Sequence, residues 1–577
     1  MLFSNFLLKW VLTSGIIWVK SMMSYLSLLC SLFYLLCHTM QLRAQGDAQI
    51  LLKIRNGQIE EAFSDYRSKV TLEGKSDYEL IHRMALSLIE YGSKQSDAEI
   101  QLLSLFGAYI SAHDEVYHIL EEGLKNRYPQ IQLIALKALA HLNNDQADQA
   151  LLRAMGSDYP LIRLEAAHSL CEKKHPQAIN QIESFMYKLP SEALPLFPPL
   201  YAQVGTPQAM KLLRKMINHP STEVRLAVIL SVAMAGRDDF IPQIRQQALH
   251  GHFSQQEACA LALGLFQDGS SRDLLTKMSC SPYPHVALAA NVALYKLGEE
   301  KRIEAIEKAA LKGDLFAIVT LGEISDHPAV LLQLLKHPNS QVKYNAVLAL
   351  LQQHHPSSAP YLKDLLTKNK YDYAVSEISS PGKGFKAWKV TPSASLILKE
   401  DVEAYLENLK CKQTILTSSQ SLPNELFIQI ADQLLSNDQN ELVPLLVELL
   451  QEQATQEAIQ CLKTYQQKLG DPFVRNYCTL ALYRMQEPGP YGAILHQWVN
   501  KQNKTEFIRF KPLAPWQIGK NTYDLTPEQT SEVLLQACEA MAINQDDHGI
   551  EALIEAISFG HAKNRYALAG ILLRATR

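Results

Sequence analysis

At 577 residues, with 47% hydrophobic and 20% charged residues and a mean hydropathy of −0.09, the chain has the makeup of a soluble protein long enough for several domains. Its formal charge is −4. The first 44 residues hold Lys9, Lys20 and Arg43 and no acid, so the remainder carries 52 basic against 59 acidic side chains. A mildly acidic body lacks the basic footprint that bulk nucleic-acid binding needs.

The chain opens on an apolar segment. Ser21 to Leu42 is a run of 22 uncharged residues, preceded by Lys20 and followed by Arg43-Ala44-Gln45. This predicts a secretory signal over 1–44 with cleavage after Ala44; the run is also long enough for an uncleaved membrane anchor. Leu42 is a poor fit to the small residue usual two positions before cleavage. Met22-Met23 is an alternative start, although it would discard Lys20. Cys30 and Cys37 each follow a leucine, which leaves no lipid-attachment box. The segment points to export, to the periplasm or envelope of a bacterium, with membrane contact only through this segment if it stays uncleaved.

Residues 45–125 read as four helices forming a helical cap or diverged repeats. Ser76-Asp77-Tyr78-Glu79 and Ser96-Asp97-Ala98-Glu99 each have the capping-box form, serine with glutamate three later, ahead of an apolar run. From 126 to 356 a ladder takes over. Pro129, Pro160, Pro190, Pro220, Gly251, Pro282 and Gly313 recur about every thirty-one residues, each before an alanine- and leucine-rich stretch. A fixed period of this size predicts a solenoid whose units bury apolar faces only against neighbours.

Each unit reads as two antiparallel helices. The first carries apolar pairs at helical spacing, as in Leu151, Leu152 and Met155, or Leu212, Leu213 and Met216. A polar turn and a proline then start the second, since first-turn amides need no partner. The second helix has the sharper signature: an aliphatic residue, Arg or Lys, two residues, then a small one. It reads Ile162-Arg163-Leu164-Glu165-Ala166, Val224-Arg225-Leu226-Ala227-Val228, Val342-Lys343-Tyr344-Asn345-Ala346 and, late in the chain, Val474-Arg475-Asn476-Tyr477-Cys478. The small residue permits helices to stack at about 8–10 Å, and the basic one is expected at the unit boundary, on acids or carbonyls of the adjacent turn. This pattern resembles HEAT repeats, particularly the short bacterial type grouped with phycobilisome-lyase-like HEAT proteins. The resemblance covers 126–356 and again about 470–485, and implies an all-α solenoid. Seven to eight such units predict a rod or arc of about 70–80 Å.

The period fades twice. Residues 357–422 read as an irregular basic insertion with a turn at Ser380-Pro381-Gly382-Lys383-Gly384 and strand-like alternation from Phe385 to Val390. Helical repeats resume over 423–486; 487–527 reads as a second irregular insertion, in which Glu506 to Lys511 also alternates; 528–577 reads as a helical repeat or cap. The three tryptophans beyond the leader, Trp388, Trp498 and Trp516, fall in these breaks beside basic residues. Insertions in solenoids often carry the binding face, so Trp388, Lys386, Lys389, Trp498, Arg509, Lys511 and Trp516 are the candidate partner contacts. The competing reading is that the tryptophans pack a small capping subdomain.

Chemistry is scarce. His168, Cys171, Glu172 and His175 share a helical face at metal-ligand spacing, but His175-Pro176 matches the recurrent turn, and His250-Gly251-His252 is a turn pair as well. The deoxyhypusine hydroxylases, HEAT-like enzymes, bind iron through His-Glu dipeptides; here the nearest is His113-Asp114. Neither Gly-x-Ser-x-Gly nor Cys-x-x-Cys occurs, and Gly382-Lys383-Gly384 lacks the frame of a phosphate loop. Seven cysteines beyond the leader, widely spaced, read as small buried hydrophobes. The expectation is a non-enzymatic scaffold for a protein partner, with no catalytic, cofactor or metal residues. The alternatives are a lyase-like enzyme or accessory acting on a protein-bound prosthetic group, and nucleic-acid binding through the basic insertions.

Overall fold

The computed structural model describes residues 45–576, apart from 74–75, 176–177, 187–189, 325–327, 368–372, 393–400, 437–440, 469, 507–526 and 545. The leader 1–44 lies outside the described residues. Among those described, no helix is long and apolar enough to cross a membrane.

Among the described residues the chain is an α-solenoid of antiparallel helix pairs with a single two-stranded hairpin. The second helices of the pairs form one layer, labelled here in chain order. They run α1 (Ala98–Ser111), α2 (Pro129–His141), α3 (Pro160–Glu172), α4 (Phe197–Val204) and α5 (Thr222–Met234). Then come α6 (Phe253–Leu265), α7 (Pro284–Lys296), α8 (Leu315–Ile324), α9 (Ser340–Gln352) and α10 (Val402–Ser419). The layer ends with α11 (Val443–Gln453), α12 (Pro472–Arg484), α13 (Pro527–Ile543) and α14 (Arg565–Ala575). First-layer helices such as Asp145–Ala154 and Pro207–Met216 stand behind them, with their leucine pairs buried against the second layer.

The ladder marks the turns between the two layers. Pro129 and Pro160 are first residues of α2 and α3, and Gly313 turns with φ +86°, a conformation that favours glycine. In the degenerate unit, Pro195 sits in a 3-10 turn, Ser191–Leu196, and Pro198 and Pro199 open the short α4. Arg225 takes the role expected of the basic position. Its guanidinium donates to the carbonyls of His219 (2.5 Å) and Pro220 (2.7 Å) and reaches Gln255 of α6 (3.1 Å). Lys343 instead lies over the rings of Tyr344 and Tyr361, 5.3 and 4.8 Å from their centroids. The cysteines behave as hydrophobes. Six of the seven described are buried and all are free; Cys280 is exposed.

The expected rod or arc is not what forms. The stacking continues through α10 to α14, and α14 packs against α1 while the first-layer helix Asp547–Phe559 packs against Ile59–Glu73. Both layers therefore close on themselves. The seam is made by small residues: a Cβ on Gly107 of α1 would drive into the Tyr566 carbonyl of α14, and one on Gly570 into the Gly107 carbonyl. Arg565 with Glu60 and Lys563 with Glu99, each at 2.8 Å, add ion pairs across the seam. In a closed two-layer ring the inner layer has the shorter perimeter, so its helices come closest. The tight glycine approaches Gly264 to Ala293 (α6, α7) and Gly322 to Ala349 (α8, α9), like the seam, all lie in the second layer. That layer is the inner wall.

Two expected irregular stretches contract. Ala359–Leu366 and α10 are helices inside 357–422, because each keeps an apolar stripe that the long intervening loop hides from a period count. Tyr491–Gln502 is likewise a helix inside 487–527. In both places the departure falls, in the sequence, between the first and second helix of a pair.

Candidate binding site on the inner wall

The hairpin consists of β1 (Tyr373–Ser379) and β2 (Lys386–Pro392), antiparallel, with Val375 opposite Val390 and Glu377 opposite Trp388. It lies on inner-wall helices. Val375 and Val390 are fully buried, and Phe385 and Ala387 nearly so.

A two-stranded hairpin has two unpaired edges, and exposed edges are a liability. Here both are paired by helix side chains. On β2, Gln341 and Asn345, one turn apart on α9, each grip the backbone with both ends of the amide. Asn345 Nδ2 donates to the Trp388 carbonyl (2.7 Å) and its Oδ1 accepts the Trp388 N–H (2.9 Å). Gln341 Nε2 donates to the Val390 carbonyl while its Oε1 accepts the Val390 N–H (3.0 Å). On β1, the Val375 N–H donates to Asn408 Oδ1 of α10 (2.8 Å) and the Glu377 N–H to Glu407 (3.0 Å). The wall thus supplies the ladder a neighbouring strand would have given.

The turn is anchored by Glu257 of α6, which is fully buried. Its carboxylate accepts from Ser380 Oγ and from the Gly382 N–H (2.9 Å). Burial pushes this carboxyl above its ordinary range, and the two hydrogen bonds and the nearby His285 pull the other way. Lys383, at φ +57°, pairs with Glu223 of α5. Gly382 and Gly384 are required by proximity, since a Cβ would meet the Ser254 carbonyl or the Leu261 side chain.

Past α9, none of the described strands covers the wall. A cleft of about 600 Å³ is lined by α10 (Lys410, Gln413, Thr414), α11 (Leu445, Glu448) and Gln536 of α13. A second hollow of about 240 Å³ adjoins it, around Tyr477 and Arg484 of α12. Arg484 is flanked by Glu539 and Glu448, and Arg574 of α14 pairs with Glu539.

The expected contact residues scatter. Trp388 is half-buried against the core; Lys386 pairs with Glu377 at 2.8 Å; Lys389 is exposed. Trp498 packs on the core from the helix Tyr491–Gln502 rather than from a loop. Arg509, Lys511 and Trp516 lie outside the described residues, as does most of the alternating stretch from Glu506 to Lys511. Cys171 is fully buried with its thiol pushed up to about 12 by burial, whereas His168 and Glu172 are exposed, so that helical face gathers no metal ligands. His252 serves the start of α6, its N–H donating to Gln255 (3.4 Å). Gln341, Asn345, Asn408 and Glu257 escaped sequence reading. Their one signal is a polar residue at an apolar position of a second helix.

No protein-family model matches the chain, and comparison with curated proteins gives no match. Among solved structures it is similar to Kap121p bound to Ste12p, at 12% identity over 91% of this chain and 76% of that one, with a TM-score of 0.31. A homology model of the full-length AP-3 complex in an intermediate open conformation matches at 12% identity over 92% and 98%, with a TM-score of 0.26. An engineered protein matches at 14% identity over 84% and 98%, with a TM-score of 0.18. At such scores these likenesses carry no weight on function.

Proposed function

We propose that this chain is a non-enzymatic scaffold that holds an extended segment of a protein partner on the inner wall of its ring. The observation that supports this most is the wall's treatment of its own hairpin. Amide side chains on the helices pair with main-chain groups of an extended strand, which is recognition of backbone rather than of sequence. The open cleft beside it presents the same kind of donors and acceptors, Gln413, Thr414 and Gln536, in a volume suited to a few extended residues.

Lys389 and the exposed part of Trp388, with Arg509, Lys511 and Trp516 in the second link, are the added contacts in this reading. The uncharged run from Ser21 to Leu42 supports placing the scaffold outside the cytoplasm, at a bacterial envelope. Among the described residues no specific feature favours the lyase-like alternative or nucleic-acid binding over this reading. A random peptide library panned against the full chain tests it. Extended binders are expected whose affinity falls in Gln413→Ala/Gln536→Ala. Binders indifferent to that change would move the site elsewhere, and a library without binders would contradict the reading.

A further inference from the structure

His82, His113 and Glu115 meet at the seam, and none of them lines the cleft or touches the hairpin backbone. His82 lies on the first-layer helix Tyr78–Ser93, and His113 and Glu115 on the tight turn that follows α1. One ligand atom from each falls within 4.8 Å of the others. The two imidazoles meet edge to face with centroids 4.9 Å apart.

The contacts of His82 fix where its ring points. Nδ1 lies 2.9 Å from Thr576 Oγ1 and Nε2 lies 2.9 Å from a Glu115 carboxylate oxygen. A hydrogen bond needs only the His82–Glu115 pair, whereas His113 brings a third donor to the same point. Two imidazoles and a carboxylate are the ligand set of a zinc-type ion.

We propose that His82, His113 and Glu115 bind one zinc-type divalent ion that fastens the seam. His82 coordinates through Nε2, and its Nδ1–H to Thr576 is the outer-shell contact that fixes ring orientation and tautomer. Because Thr576 ends the last turn after α14, the ion couples the first unit to the last. Ions that prefer all-oxygen shells, such as Mg²⁺ and Ca²⁺, fit this set poorly.

Titrating the full chain with ZnCl₂ by calorimetry tests the site, in a Cys280→Ser background that removes the one exposed thiol among the described residues. One saturable site is expected, with a rise in thermal midpoint and no response to Mg²⁺. Glu115→Gln and His113→Ala should each weaken binding by more than about 100-fold, beyond what loss of an outer-shell partner costs, and Thr576→Val by about 10–100-fold. Glu115 is exposed, so its variant leaves folding intact, which circular dichroism checks. Absence of saturable zinc binding, or binding undiminished in both ligand variants, would overturn the site and leave only the His82–Glu115 hydrogen bond.

Discussion

The inner wall has two halves built from the same kind of helix but closed in different ways. From α5 to α10 the wall is covered by the hairpin, whose edges take the amides of Gln341, Asn345 and Asn408 and whose turn takes the buried carboxylate of Glu257. From α10 to α13 comparable polar side chains border a cleft of about 600 Å³. The polar groups of the first half are there for a strand the chain itself provides. The corresponding groups of the second half gain an account if a strand comes from a partner. α10 belongs to both halves, with Asn408 facing the hairpin and Gln413 the cleft.

This contrast can be broken most forcefully at the turn. Glu257→Ala leaves the Ser380 hydroxyl and the Gly382 amide without their acceptor, at a cost of about 2–4 kcal/mol, read as a lower denaturation midpoint and faster proteolysis within 380–386. An unchanged proteolytic rate would mean that the turn is not held by α6. Removing the ladder mimics should do somewhat less: Gln341→Ala and Asn345→Ala are expected to cost about 1–3 kcal/mol each. They should also raise peptide binding if a loosened hairpin uncovers more wall.

The pH dependence of Glu257 is smaller and has a definite sign. Its folded carboxyl is raised, so the fold holds the proton more tightly than the unfolded chain does. The stability this group contributes is fully present below the ordinary carboxylate range and is lost as pH rises through the raised value. In Glu257→Gln that segment of the stability–pH curve should flatten, as measured by urea denaturation at several pH values. The smallest effect belongs to the open half: Gln413→Ala should alter stability by no more than about 0.5 kcal/mol, since Gln413 lines an open cleft, while lowering peptide affinity.

The repeat was readable because its causes are local. Prolines at first helical turns, leucine pairs on one face and small residues at helix crossings all recur in register. The hairpin turn was readable as well, in Ser380-Pro381-Gly382-Lys383-Gly384. What escaped were contacts across long sequence distances. Gly107 with Gly570 turns an expected arc into a ring, and neither glycine differs locally from other small residues of its helix. Gln341 and Asn345 look like ordinary polar positions until a strand 43 to 49 residues later lies on them. His82 and His113 belong to separate helical segments, so no spacing rule joins them. The tryptophans misled in part because Trp498 sits near prolines yet on a helix that packs.

Closure of the ring underlies the inner wall, the cleft and the seam alike. Glu99 and Lys563, 2.8 Å apart at their tips across the seam, offer the direct measurement. In the full chain in the Cys280→Ser background, Glu99→Cys/Lys563→Cys should be joined nearly completely by a short bis-maleimide, within one chain and independently of protein concentration. Failure to link, or linkage only between chains, would mean that the solenoid is an open arc and would contradict the account.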